Sequence, residues 1–200
     1  MLSGKIQEWA KACPERIAHR HANHVLTYRA LEQGSNSAAL WLHELGLAQA
    51  VVRQTPIVVY GHKENEMLAL FLACVKAGYP YIPVDSSVPK ERLLQIIQSS
   101  GAWAVLSPRH IPEGISSSQV IVEENISLLA EDSVLTRNQF EVPPVAWQVR
   151  LDEVYYIIYT SGSTGVPKGV QITLRALESF LSWVNPAYGP EEKNEVFLNQ

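Results

Sequence analysis

Apolar positions along this chain fall into short β-branched runs separated by longer stretches of helical spacing. Near the N-terminus, Ile6, Trp9, Ala10, Cys13 and Ile17 recur close to helical spacing among charged residues, which predicts an amphipathic segment. From Thr27, apolar residues at Leu31, Ala38, Leu42 and Leu45 predict a helix that Thr27 can cap and Gly46 can end, with Gly34 and Ser35 weakening the pattern. The run from Thr55 to Gly61 predicts a strand, and the mostly apolar stretch from Glu64 predicts a helix closed by Gly78. YPYIPV, from Tyr79, then leads into a helix that Asp85, Ser86 or Ser87 can cap, with Pro89 in its first turn and Gly101 at its end. AWAVLS from Ala102, SQVIVEE from Ser118 and VYYIIYT from Val154 read as further strands. Residues 125–150 have no strong period, include Pro143-Pro144, and read as a connection where a subdomain junction is expected.

Short strands alternating with helices predict right-handed β-α-β units, hence an α/β fold with a largely parallel sheet flanked by helices. At 200 residues and 46% hydrophobic, the chain has material for a sizeable core. A net charge of −4 with no run of like charges lacks the basic footprint of a nucleic-acid or anionic-membrane binder. The longest clearly apolar run, MLALFLACV from Met67, is about half a membrane span. Cys13 and Cys74 have neither metal-ligand nor redox spacing and read as packed thiols. The expectation is a soluble cytoplasmic protein, with no membrane insertion and no nucleic acid, whose partners are small molecules or proteins.

Chemistry concentrates in one stretch. Residues 158–170 read IYTSGSTGVPKGV, in which the six residues Thr160 to Gly165 are all hydroxyl-bearing or glycine and cannot pack a core. Glycines let the backbone turn, hydroxyls and amides supply donors, and Lys168 adds a mobile positive charge, a combination that suits a phosphate chain. The loop falls directly after a strand, where open α/β sheets bind ligands, and before VQITLRALESFLSWV. It is not a Walker A loop, since two residues rather than four separate Gly162 from Gly165 and Lys168 precedes Gly169. Nor is it a nucleophile elbow, because Ser161 stands where Ser163 would need a glycine.

Other residue groups have plainer readings. His19, His21 and His24 match neither a helical zinc pair nor a closed site with cysteines, and read as surface residues. Asp85 reads as a helix cap, and Tyr155, Tyr156 and Tyr159 as packing residues of a strand. Asn125-Ile126-Ser127 has the form of a glycosylation acceptor, without consequence in a cytoplasmic protein.

YTSGSTGVPKGV resembles the phosphate loop of the adenylate-forming (AMP-binding) enzymes, the family of acyl-CoA synthetases, luciferases and peptide-synthetase adenylation domains. LTYRAL at Leu26 to Leu31 and VKAGYPYIPVD at Val75 to Asp85 fall where that family has earlier core motifs. Within the family, YIPVDSSVPKERLLQIIQSSGA, GVQIT and the terminal VFLNQ are most similar to the branch that loads D-alanine onto a carrier protein for teichoic acid modification. The resemblance implies attack of an amino-acid carboxylate on the α-phosphate of ATP with Mg2+, then transfer to a carrier's phosphopantetheine thiol. It implies that Thr160 and Ser161 contact ATP and that Gly162, Ser163, Thr164, Gly165 and Lys168 complete the loop. No catalytic residue and no Mg2+ ligand is identified in this chain by the resemblance. Family members are more than twice this length, so the chain is expected to be an N-terminal portion without the lid domain, inactive alone. A non-catalytic scaffold, a peptide-synthetase adenylation domain or an acyl-CoA ligase share the same loop and remain alternatives.

Overall fold

Two buried faces on one strand set the architecture. The computed structural model describes residues 2–115, 120–137, 141–160 and 167–188. Strand β3 (Ile57–Gly61) is buried at every position, as its unbroken apolar run requires of a strand covered on both sides. Ile57 and Val59 enter a core with α2 (Tyr28–Ala48) and α3 (Asn65–Lys76). Val58 and Tyr60 enter a second core with Leu93, Ile96 and Ile97 of α4 (Lys90–Ser100). Alternation along the strand thus assigns helices to opposite faces.

The main sheet adds β4 (Tyr81–Asp85), β5 (Ala104–Leu106), β6 (Ile121–Glu123), β7 (Val154–Thr160) and β8 (Lys168–Thr173), in the order β6-β5-β3-β4-β7-β8. The pairings β6-β5, β5-β3, β3-β4 and β4-β7 are parallel and β7-β8 is antiparallel. This is the expected α/β class with a largely parallel sheet. From β3 the chain crosses by α3 to β4, and from β4 it crosses by α4 on the other face to β5, on the far side of β3. Connections leaving β3 and β4 therefore diverge, which opens a crevice at their C-terminal ends. β4 keeps register with β3 over five pairs, including Val59↔Pro83, and meets β7 at Tyr81↔Tyr156. Pro83 has no N–H to offer either neighbour.

Several expectations need correction. Ile17 is not part of the first helix: α1 (Leu2–Ala12) stops earlier, and Ile17–His21 (β1) pairs antiparallel with His24–Thr27 (β2) as a small separate sheet. Gly46 does not end α2, which runs on to Ala48. A side chain at Gly46 would collide with the Tyr79 hydroxyl, so this glycine serves close packing inside the helix. Thr27 does cap α2, accepting from the Ala30 amide at 3.2 Å. None of Asp85, Ser86 or Ser87 caps α4, whose N-cap is Pro89. VQIT belongs to β8, which pairs antiparallel with β7, and α5 (Leu174–Tyr188) begins only afterwards. VFLNQ, the terminal stretch of the resemblance, lies outside the described residues.

Residues 126–135 pack across the α2–α3 face, burying Ile126, Val134 and Leu135. Arg53 fixes the chain just before β7. It donates to the carbonyls of Trp147 and Gln148 at 2.6 Å each and pairs bidentately with Glu153 at 3.0 and 2.7 Å. At Gly78 (φ +88°) an added side chain would meet both the Arg53 guanidinium and the Trp147 carbonyl. Both cysteines are free, Cys74 wholly buried and its thiol pushed up by that burial. Among the described residues no helix is long and apolar enough to cross a membrane.

Candidate functional site

The C-terminal ends of β3, β4, β5 and β7 bring together residues that are far apart in sequence. Gly61 and Asp85 are register partners at the ends of β3 and β4, so the residue after Gly61 faces the carboxylate that ends its neighbour. His62 Nδ1 lies 2.7 Å from Asp85 Oδ2, while Asp85 Oδ1 accepts the Ser87 amide at 2.8 Å. The Ser87 bond, reinforced by His62, holds the Asp85 carboxyl down at about 2. A carboxylate at Nδ1 leaves Nε2 of a neutral imidazole as the outward acceptor. The crevice is lined further by Glu64, which accepts the His62 amide at 2.5 Å and pairs with Arg109. Tyr60 donates its hydroxyl to the Ser86 carbonyl at 3.2 Å.

At the end of β7, Thr160 is exposed and pairs across the sheet with Lys168, the exposed first residue of β8. The Thr160 hydroxyl reaches the Lys168 carbonyl at 3.4 Å. Pro167, just before Lys168, is buried. Two of the sequence-derived residues, Thr160 and Lys168, therefore form the stem of the loop, one on each arm. Ser161, Gly162, Ser163, Thr164 and Gly165 lie outside the described residues. The stem is tied to the opposite face of the sheet by α4. Arg92 donates from Nη2 to the Thr160 carbonyl at 2.8 Å, and Ser99 lies 3.4 Å from the Tyr159 hydroxyl.

Sequence reasoning missed His62 and Arg92, and it gave Asp85 a different task. The signal for the first was present: GHK follows one strand directly and VD ends the next, and parallel neighbours align their ends. Arg92 has no such signal, since it depends on how α4 is seated. His19, one of the three clustered histidines, has its Nδ1 engaged with Asn65 Oδ1 at 2.8 Å. Among the described residues no group of three or more His, Cys, Asp or Glu could hold a metal ion.

Over residues 6–200 the chain matches the family described as AMP-binding enzyme. It is 37% identical over 199 residues to the D-alanine--D-alanyl carrier protein ligase of Bacillus cereus (strain B4264), and equally to the protein of that name from Bacillus mycoides (strain KBAB4). Both alignments cover 100% of this chain and 38% of the relative, so the chain spans well under half the length of the curated relatives it matches. Among solved structures, VinN in complex with L-aspartate has a TM-score of 0.79 at 21% identity, over 97% of this chain and 54% of that one. The AMPPNP-bound nonribosomal peptide synthetase FmoA3 has a TM-score of 0.77 at 23% identity, over 94% of this chain and 19% of that one. These likenesses establish the fold.

Proposed function

Because the chain belongs to the AMP-binding enzyme family, we propose that it is the phosphate-holding part of an adenylate-forming ligase that activates an amino acid, with D-alanine the favoured substrate. The observation that carries this reading is the 37% identity running along the whole chain to proteins named D-alanine--D-alanyl carrier protein ligase. The stem geometry supports it, since Thr160 and Lys168 stand together at the C-terminal end of β7, and ligands of open α/β folds bind at strand C-terminal ends.

In this reaction a carboxylate oxygen of the amino acid attacks the α-phosphorus of ATP, the bond to the bridging oxygen breaks, and pyrophosphate leaves. A phosphopantetheine thiolate of a carrier protein then attacks the acyl carbon and AMP departs. The charged carrier would serve teichoic acid D-alanylation in the cytoplasm. Positioning and charge stabilisation dominate such displacements, so the chain's own contribution is to bind and orient phosphates. Thr160 and Ser161 supply hydroxyl donors, Gly162, Ser163, Thr164 and Gly165 supply backbone donors and freedom to turn, and Lys168 supplies the cation. Magnesium, when bound with the nucleotide, supplies further neutralisation of phosphate charge.

Equilibrium binding of Mg-ATP to this chain tests the reading. Thr160→Ala and Lys168→Ala should each weaken binding several-fold, since one neutral or charge-assisted hydrogen bond contributes about 0.5–3 kcal/mol. Unchanged binding in both variants, or none by the parent chain, would remove the assignment of this loop to phosphate.

A further inference from the structure

We propose that Arg92 is a positioning residue for the loop stem, holding the Thr160 carbonyl so that the Thr160 hydroxyl and the Lys168 ammonium meet the nucleotide phosphates from fixed places. The proposal rests on the phosphate-binding reading above and goes beyond it, because Arg92 lies 68 residues before the loop on a different element.

Three observations converge on Arg92. The side chain leaves a rigid support: Leu93, next to it, is wholly buried, Ile96 and Ile97 one turn on are nearly so, and the Arg92 amide is tied to the Pro89 carbonyl at 3.0 Å. Its guanidinium reaches a chosen atom, the carbonyl of the last residue of β7, at 2.8 Å. A guanidinium bond to that carbonyl is charge-assisted and directional, so it fixes the orientation of the peptide from which the loop departs. The partner arm is joined to this one by the Thr160↔Lys168 pair, and buried Pro167 precedes it. Ser99, two turns along α4, meets the Tyr159 hydroxyl and sets the helix against the same strand.

A staple that merely joined α4 to β7 would use the same contact, and the two roles differ in what they move. α4 is already held by three buried apolar side chains, so loss of one half-buried guanidinium should leave the fold intact. The stem, by contrast, lies at an exposed strand end.

The test compares Arg92→Ala and Arg92→Lys with the parent chain by amide hydrogen exchange, urea unfolding and Mg-ATP binding. Arg92→Ala should raise exchange around Thr160 and Lys168 in the nucleotide-free protein and weaken Mg-ATP binding about tenfold, with an unchanged urea midpoint. Arg92→Lys, which keeps a cationic donor, should recover most of both. Unaltered exchange at the stem, or a loss of affinity that follows a fall in the urea midpoint, would overturn the proposal. Failure of the phosphate reading shows itself separately, as a parent chain indifferent to Mg-ATP or to Lys168→Ala, while the exchange measurement still decides whether Arg92 sets the stem.

Discussion

Lys76 and Arg92 are both cations that leave a helix towards polar partners, and they stand in opposite situations. Lys76 is 3% exposed and donates to Glu32 at 2.8 Å, Ser35 at 2.8 Å and Asn36 at 2.7 Å, so all three ammonium hydrogens are matched. Burial pulls its pKa down, opposed by Glu32. Arg92 is half-buried and gives one of its five N–H groups to one carbonyl. A fully matched buried cation fixes how α2 and α3 pack and has no donor left for a ligand. A cation at the strand ends, holding one backbone atom, belongs to the region proposed to meet the nucleotide phosphates.

The comparison breaks most sharply at Lys76. Lys76→Met leaves Glu32 buried without its cation and should destabilise the chain by about 3–5 kcal/mol in urea unfolding. The double variant Lys76→Met with Glu32→Gln removes both charges and should recover at least half of that loss. A small effect of the single variant would mean that Lys76 is no more structural than Arg92.

Arg53 sharpens the contrast, because it shows that a guanidinium too can be wholly structural. Its four bonds to Glu153, Trp147 and Gln148 join residues 53 and 145–153 around the entry to β7. Arg53→Ala should lower stability by about 2–3 kcal/mol, and Arg53→Lys should recover less than half, since an ammonium cannot reproduce the fork. Equal costs for Arg53→Ala and Arg92→Ala in the same urea assay would erase the distinction drawn between them.

What sequence made legible follows the same division. β3 and α3 announce themselves because Ile57–Gly61 and the apolar stretch after Glu64 bury nearly every residue, which forces a continuous apolar pattern. Gly34 and Ser35 blurred the α2 signal for a reason that only packing reveals: Gly34 admits Leu128 and Leu135, and Ser35 accepts from Lys76. The β1–β2 hairpin escaped because IAHRH and HVLT are half-exposed and polar, so Ile17 fell by chance into a helical count. β8 escaped because VQIT runs straight into the helical pattern of LRAL. In the candidate site, composition and spacing singled out Thr160 and Lys168, which the structure pairs across β7 and β8. The links His62–Asp85 and Arg92–Thr160 were not, since they need the β3–β4 register and the seating of α4, which no local pattern encodes.

The smallest expected effect lies at the other member of the strand-end crevice, and it tests whether that crevice is electrostatically built. Asp85 has its carboxyl held at about 2 by the Ser87 amide first and His62 next. A carboxylate held below its unfolded value of about 3.9 adds stability that is present in full above that value and is lost as pH falls through the folded value. Asp85 is 42% exposed, so solvent screening keeps this contribution small. Asp85→Asn cannot ionise and keeps a carbonyl for the Ser87 amide. The parent chain should therefore unfold at slightly higher urea than Asp85→Asn at pH 6, and the gap should close between about pH 4 and pH 2. A gap that stayed constant across this range would mean that the Asp85 charge does not hold the turn after β4. The crevice would then rest on backbone geometry, as the core does, and Arg92 would stand alone as the charged group that sets a strand end.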